Sequence, residues 1–341
     1  MDTITISIDA MGGDNAPVSE VAGAVETTRK HEGINIILSG QKDKIEAELK
    51  KHSFDSARIR IHHASEIIEM HESPTEAIRK KPDSSLVQGL KLVRSKEAEA
   101  FISAGNTGAV MAASLFTLGR IANVSRPVIG SEFPTEKGIT IVFDVGANVD
   151  CKPVHLLQFA LMGSVYANHI HDIPNPTVGL LSVGEEKEKG DLLTTETHEL
   201  LEKSGLNFIG NIEGRDILKG SVNVVVCDGF VGNVILKFAE GVLGFLKAKF
   251  KEYSERNFIN KIKVGMAYGT LKDILKDFDY QEYGGVPLLG VNGISLIGHG
   301  RSSPKAIKTM LLKAEHMARA GINKIIEEKI KDAREFTVNT A

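Results

Sequence analysis

One junction recurs four times and constrains this chain most: a short β-branched run stops at glycines and small polar residues, and a helix-length segment follows at once. Ile4 to Asp9 runs into Asp9-Ala10-Met11-Gly12-Gly13-Asp14-Asn15-Ala16-Pro17, and Glu99 to Ser103 into Ser103-Ala104-Gly105-Asn106-Thr107-Gly108. Ile139 to Asp144 runs into Asp144-Val145-Gly146-Ala147-Asn148-Val149-Asp150, and Val222 to Cys227 into Cys227-Asp228-Gly229-Phe230-Val231-Gly232-Asn233. Further strands read at Ile34 to Leu38, Arg58 to His62, Val178 to Leu181, Asn207 to Gly210, and near Leu288 and Ile294. Helices read at Gln41 to Lys51, Ser84 to Ser95, Thr107 to Leu118 and Val154 to Asn168, then over 231–252, 258–277 and 304–330. Strands separated by helices of roughly 10–15 residues imply βαβ units and a mainly parallel sheet covered on both faces. If the four strands are parallel neighbours, all four junctions lie at one carboxyl edge, where open α/β folds bind ligands.

Such junctions suit an anion. A helix N-terminus presents unpaired N–H groups and a partial positive charge, and glycines let the backbone approach closely. Asn, Ser and Thr add neutral donors. The chain has no G-x-x-x-x-G-K-[ST], no G-x-G-x-x-G after the first strand and no G-x-S-x-G. A P-loop NTPase, a dinucleotide fingerprint and a nucleophile elbow are thereby disfavoured. With 41 basic and 44 acidic side chains the net charge is −3, which argues against a dedicated nucleic-acid binder. Two cysteines, Cys151 and Cys227, form neither a disulfide framework nor a zinc pattern. No run of 18 apolar residues is seen, and no secretory leader is read at Met-Asp-Thr-Ile, so a cytoplasmic location is expected.

Several residues are readable two ways. Asp144 and Asp150, with His155 close behind, suit acid–base work or cation binding; Asp150 equally suits a helix cap ahead of Pro153. His155 also reads as a packed histidine. Cys227 ends a Val-Val-Val run and reads as a small apolar side chain more readily than as a nucleophile. Lys187, in the charged loop Gly184 to Gly190, is a candidate to neutralise phosphate; a solvated loop is the plainer reading.

Beyond Asn233, residues 235–280 hold two long helices with no strand between them. Ile235, Phe238, Ala239, Val242, Leu246 and Phe250 recur every three or four positions and give one apolar face. Near the turn lie Lys247, Lys249, Lys251, Arg256, Lys261 and Lys263 against Glu252 and Glu255, a local charge of +4. Phe258 and Ile259 stand among these cations. The pattern reads as a protruding helical hairpin that packs on its twin in a homodimer, its basic tip touching an anionic membrane or an acidic partner.

The junction sequences resemble the signatures of a known family, the bacterial phosphate acyltransferases (PlsX). The likeness covers Asp9 to Pro17, Ser103 to Ala109, Asp144 to Cys151, Gly184-Glu185-Glu186, Asn207 to Asp216, Val226 to Asn233 and Glu282 to Gly290, and runs from about residue 4 to residue 325. One departure is Lys80-Lys81-Pro82-Asp83-Ser84-Ser85, where the family usually lacks the proline. The resemblance implies a three-layer α/β/α fold with a large, mostly parallel mixed sheet, similar to the phosphotransacetylases and isopropylmalate dehydrogenases, as a single domain over 1–341. It implies that inorganic phosphate attacks the thioester of fatty acyl-acyl carrier protein and forms acyl phosphate for phospholipid synthesis. A membrane glycerol-3-phosphate acyltransferase would use that product. No cofactor and no metal are expected. Peripheral membrane association is a further expectation.

On this reading phosphate meets Gly12, Gly13, Asp14, Asn15, Ser84, Ser103, Gly105, Asn106, Thr107 and Gly108, seated over the Ser103–Gly108 turn. Asn106, Asp144, Asn148, Asp150, His155 and Lys187 serve catalysis, and Gly229, Gly232 and Asn233 hold substrate. Lys247, Lys251, Arg256, Phe258, Ile259, Lys261 and Lys263 contact membrane or carrier protein. The alternative on the same fold is a metal- and NAD-dependent hydroxy-acid dehydrogenase, with Asp144 and Asp150 on a divalent cation.

Overall fold

The computed structural model describes residues 3–274 and 283–339. In chain order the strands and helices are β1 (Ile4–Asp9), α1 (Val18–Lys30), β2 (Ile34–Gly40), α2 (Lys42–Leu49), β3 (Ile59–His63), α3 (Pro74–Lys80), α4 (Ser85–Arg94), β4 (Ala100–Ser103) and α5 (Thr107–Leu118). Then come β5 (Val128–Thr135), β6 (Gly138–Phe143), α6 (Pro153–Ile170), β7 (Val178–Leu181), α7 (Leu192–Glu202), β8 (Phe208–Ile212), α8 (Gly214–Lys219), β9 (Val224–Val226), α9 (Gly229–Glu255) and α10 (Phe258–Ile274). The chain continues through β10 (Val286–Leu289), β11 (Ile294–Ile297), α11 (Pro304–Ala320) and α12 (Ile322–Asn339).

All these strands join one sheet in the order β3-β2-β1-β4-β11-β10-β5-β6-β9-β7-β8. Strands buried on both faces need apolar residues of both parities, and the core divides by parity. Ile36, Leu38, Ile141, Phe143, Val224 and Val226 face one apolar layer with α1, α6, α11 and α12. Ile37, Val142 and Val225 face the other, with α3, α4 and α5. Three layers result.

The sheet is not uniformly parallel. β3, β2, β1, β4 and β11 run together. β10 is antiparallel to both β11 and β5, and β5 is antiparallel to β6. β6, β9, β7 and β8 again run together. Three successive reversals are an odd number, so the two parallel halves point in opposite directions. The four junctions therefore do not share one carboxyl edge: those after β1 and β4 open at one edge, those after β6 and β9 at the other.

Side chains set most helix starts. Asn106 Oδ1 accepts from Ala109 N at 3.0 Å, Asp191 Oδ1 from Thr194 N at 2.8 Å, and Asp228 Oδ1 from Phe230 N at 2.9 Å. The expected helix over 304–330 is two: Gly321, left-handed at φ 63°, ends α11, and α12 starts at once. A buried knot joins the layers, with Glu132 Oε1 accepting from Tyr166 Oη at 2.9 Å, pairing with Lys313 at 2.8 Å and lying 3.0 Å from His171 Nε2.

α9 leaves the body. Gly229 and Gly232 are its buried residues, and Ile235, Leu236 and Ala239 pack on the core beside β9. Beyond them Phe238, Phe245, Val242 and Leu246 are exposed. α10 runs back along it, capped by Asn257 Oδ1, which accepts from Asn260 N at 2.8 Å. The hairpin expected over 235–280, and its second helix over 258–277, extend past residue 274 outside the described residues. By length and composition α9 is apolar enough to cross a membrane, although charged residues break its apolar run. Its Lys237–Glu240 pair, at 2.8 Å, interrupts that run.

Candidate active site

At the first edge, the chain supplies its own buried hydrogen-bond acceptor. Asp9 is 2% exposed; its Oδ2 accepts from Ser103 Oγ at 2.8 Å and its Oδ1 from Met11 N at 3.2 Å. Burial pushes its carboxyl up, against hydrogen bonds from Ser85 and Ser103. Ser103 Oγ in turn accepts from Gly105 N at 3.0 Å. A Cβ on Gly12 would collide with the Asp9 carboxylate, so this glycine is required by packing. Gly13, at φ +106°, lies against Gly300 O and Ala104. Asp14 N donates to Gly300 O at 2.7 Å, and its carboxylate is 4.0 Å from Arg301; Asn15 is exposed.

Asn106 is similarly committed. Besides capping α5, its Nδ2 donates to Met70 O at 2.9 Å and Glu72 O at 3.1 Å. Gly108 packs under Pro74, and Thr107 is exposed on the first turn. Ser84, fully buried, caps α4 by accepting from Val87 N at 3.4 Å. It is Ser85 that reaches Asp9, a role the sequence does not signal.

At the second edge the chain folds around Asp144. Its Oδ1 accepts from Gly146 N at 3.1 Å and Ala147 N at 2.9 Å, and its Oδ2 from both Asn148 N and Asn148 Nδ2 at 2.7 Å. Burial pushes the Asp144 carboxyl up while these donors pull it down; the net direction is up. Asn148 Nδ2 also reaches Pro127 O at 2.8 Å, and Asn148 O accepts from Gly229 N at 2.7 Å. The start of α9 is thereby pressed onto the loop. Asn233, exposed just past the first turn of α9, packs against Gly146.

Asp150 is exposed and does not cap a helix, since α6 starts at Pro153 with Lys152 at its N-cap. The reason is local: His155 Nδ1 accepts from Lys152 N at 3.1 Å and closes that end instead. Burial, then Arg126 and Lys152, hold the His155 imidazole below its ordinary pKa, so it is neutral and able to accept. Arg126 Nη1 donates to Asp150 O at 3.0 Å, so two cations flank the loop. Asp144 and Asp150 do not form a cation site, and no cluster of three or more His, Cys, Asp or Glu side chains suited to a metal occurs among the described residues. Burial pushes the Cys151 thiol up to about 11 and the Cys227 thiol well above the usual range, so neither is poised as a nucleophile.

Lys187 is exposed and ion-paired with Glu202 on α7. Its loop is anchored by residues the sequence did not single out. Asn211 Nδ2 donates to Glu186 O at 2.8 Å, and Asn211 Oδ1 is 2.9 Å from Nδ1 of the buried His198. Between the end of this loop and α9 opens a cavity of about 610 Å³, lined by Gly190, Asp228, Val231 and Ile235 among others. At the far end of α9, Phe258 and Ile259 are 76% and 65% exposed. Lys249 and Arg256 pair with Glu252 at 2.8 Å, and Lys251 lies 3.9 Å from Glu255. Lys247, Lys261 and Lys263 have no ion pair among the described residues.

The family described as "Fatty acid synthesis protein" matches residues 4–325. The phosphate acyltransferase of Trichlorobacter lovleyi is 49% identical over 327 residues, covering 96% of this chain and 94% of that one. The phosphate acyltransferase of Chlorobaculum parvum is 50% identical over 336 residues, covering 96% and 98%. In fold the chain is similar to the EutD phosphotransacetylase from Staphylococcus aureus, with TM-score 0.61, 14% identity and 93% and 94% coverage. It is also similar to a 4-hydroxythreonine-4-phosphate dehydrogenase from Klebsiella pneumoniae, with TM-score 0.53, 13% identity and 93% and 98% coverage. Those two likenesses concern the fold; the near-full-length identity decides between acyl transfer and hydroxy-acid oxidation, and the chain belongs to the phosphate acyltransferase family and is an acyltransferase.

Proposed function

We propose that this acyltransferase makes acyl phosphate at the second edge of the sheet. Inorganic phosphate attacks the thioester carbonyl carbon of a fatty acyl chain on acyl carrier protein. A carbon–oxygen bond forms, the carbon–sulfur bond breaks, and the carrier thiolate leaves with the phosphate proton. Phosphate is the nucleophile, so neither cysteine is needed. One observation carries the placement: at loop 144–150 the exposed amide of Asn233, two flanking cations and an apolar cavity come together. The Asn233 side chain faces the developing oxyanion, while Arg126 and Lys152 draw phosphate in. Asp144 and Asn148 position the loop, and His155 fixes the start of α6.

The same reading covers the partners. The groove between α9 and α10, lined by Leu246, Phe250, Tyr253 and Val264, suits a second copy of the chain. Phe258, Ile259 and the cations beside them suit an anionic membrane surface, which would bring acyl phosphate to a membrane glycerol-3-phosphate acyltransferase from a cytoplasmic enzyme.

The test is phosphate-dependent release of carrier thiol by two variants. Asn233→Ala is expected to lower kcat/KM by about 100-fold or more, the effect of losing one oxyanion donor. Asn106→Ala loses a helix cap worth about 1 kcal/mol of stability and keeps its turnover. The reverse result would move the chemistry to the Ser103–Gly108 turn.

A further inference from the structure

We infer that the cavity between the Gly184–Gly190 loop and α9 is the seat of the fatty acyl chain, with Ile235 setting how long a chain it takes. This rests on the acyl-transfer reading above and adds where the chain goes.

The lining carries the argument. Leu156, Leu181, Leu193, Val231 and Ile235 form the apolar wall of about 610 Å³, a volume typical of ligand pockets. No lysine or arginine lines it; its charged residues are Asp191 and Asp228. Both carboxylates are spent as helix caps, Asp191 on Thr194 and Asp228 on Phe230 and Val231. A phosphate there would meet two carboxylates and no side-chain cation, so the lining disfavours phosphate and any phosphate-bearing arm. An uncharged hydrocarbon meets none of that penalty and removes apolar wall from water.

The orientation follows from the walls. Cys227 and Asp228 form the end nearest the loop, and Cys227 Sγ lies 3.6 Å from Asp144 O. The thioester therefore lies at that end and the methyl terminus runs inward under Leu156. Val183, on the lining, and Leu192 and Phe230, each next in sequence to a lining residue, are 80%, 72% and 61% exposed. Three large exposed apolar side chains on or beside the lining suit a rim over which a chain slides in. On α9 the wall residues Val231 and Ile235 continue as Phe238 and Val242, an exposed stripe leading outward along the hairpin.

The experiment compares butanoyl and hexadecanoyl donors in the phosphorolysis assay and measures binding of the fluorescent fatty acid cis-parinarate. Ile235→Trp fills the cavity, and Ile235→Ala enlarges it. Ile235→Trp is expected to cut the hexadecanoyl-to-butanoyl ratio of kcat/KM at least tenfold and to weaken parinarate binding by a similar factor. Ile235→Ala is expected to retain or raise both. A ratio unchanged within twofold in both variants overturns the inference, as does wild-type protein that binds no parinarate. If wild type binds parinarate and Ile235→Trp does not, while no phosphorolysis occurs, the acyl-phosphate reading fails and the chain seat stands. The alanine variant keeps the question answerable if the tryptophan variant does not fold.

Discussion

The carbonyl oxygen of Asp144 lies so close to Gly232 that no side chain fits between them. A Cβ at Gly232 would sit inside that oxygen, on backbone that four hydrogen bonds to Asp144 hold in place. Gly232→Ala must therefore lift α9 off the loop. The expected cost is on the order of 3 kcal/mol, the upper range for overpacking, since backbone cannot swing aside as a side chain does. Turnover should fall further than stability, because Asn233 moves with the helix. Thermal melting and kcat measured together check this; a variant with wild-type melting and turnover would show that α9 does not need this contact.

Glu20 makes the stability of the fold depend on pH in an unusual direction. It is 1% exposed, and its Oε2 has no hydrogen-bond partner among the described residues. Burial, with a smaller push from Asp9, raises its pKa from 4.5 to about 8. Below 4.5 both folded and unfolded chains carry the proton. Between 4.5 and 8 the unfolded chain releases it and the folded chain keeps it, so folding stability falls as pH rises; above 8 the loss is complete. The full loss is on the order of 5 kcal/mol. Glu20→Gln is expected to be the more stable protein at pH 8 and to match the parent near pH 4.5. Urea unfolding at pH 5, 6.5 and 8 reads the difference, and parallel curves for the two proteins would refute it.

Much of the fold is legible because burial on two faces demands it. Val224–Val226 and Ile34–Leu38 read as strands since nothing but a sandwiched strand uses so short an apolar run. β5 is not legible: Ser131, Glu132 and Pro134 break its pattern, and Glu132 is tolerated there only because distant Tyr166, His171 and Lys313 hold it. Strand direction is illegible too. Residues 286–289 look the same whether they pair parallel or antiparallel, yet that choice sends the Asp9 and Asp144 loops to opposite edges. The glycines and Asn106 were visible as a cluster. What could not be seen is that Asp9 takes Met11 N and Ser103 Oγ, and that the Met70 and Glu72 carbonyls take Asn106 Nδ2. The helices α3 and α8 are not legible because seven and six residues show too little of a helical period. His198 and Asn211 lacked any local signal, since their partners lie on other elements.

The hairpin tip offers a test of surface contact. Lys247, Lys261 and Lys263, beside exposed Phe258 and Ile259, are expected to hold vesicles containing anionic lipid at low salt and to release them at high salt. Lys261→Glu with Phe258→Ser should abolish that sedimentation and leave phosphorolysis of acyl carrier protein intact. Wild-type protein that stays in the supernatant removes the membrane reading. A variant that loses phosphorolysis assigns the tip to carrier-protein docking instead.

The reversed pairing at the centre of the sheet has a consequence for the order in which the chain is made. β4 finds one neighbour, β1, early, but its other neighbour is β11, synthesised near the end. Until residues 294–297 emerge, Ala100, Phe101 and Ile102 present a bare apolar edge with unpaired amides and carbonyls, the kind of surface that templates association with other chains. A nascent chain halted before residue 286 is expected to aggregate or to be retained by a holdase chaperone, whereas one completed through 325 is not, a contrast that pelleting of stalled translation products would measure. The strand that sews the two halves together is thus also the last guard against self-association during synthesis.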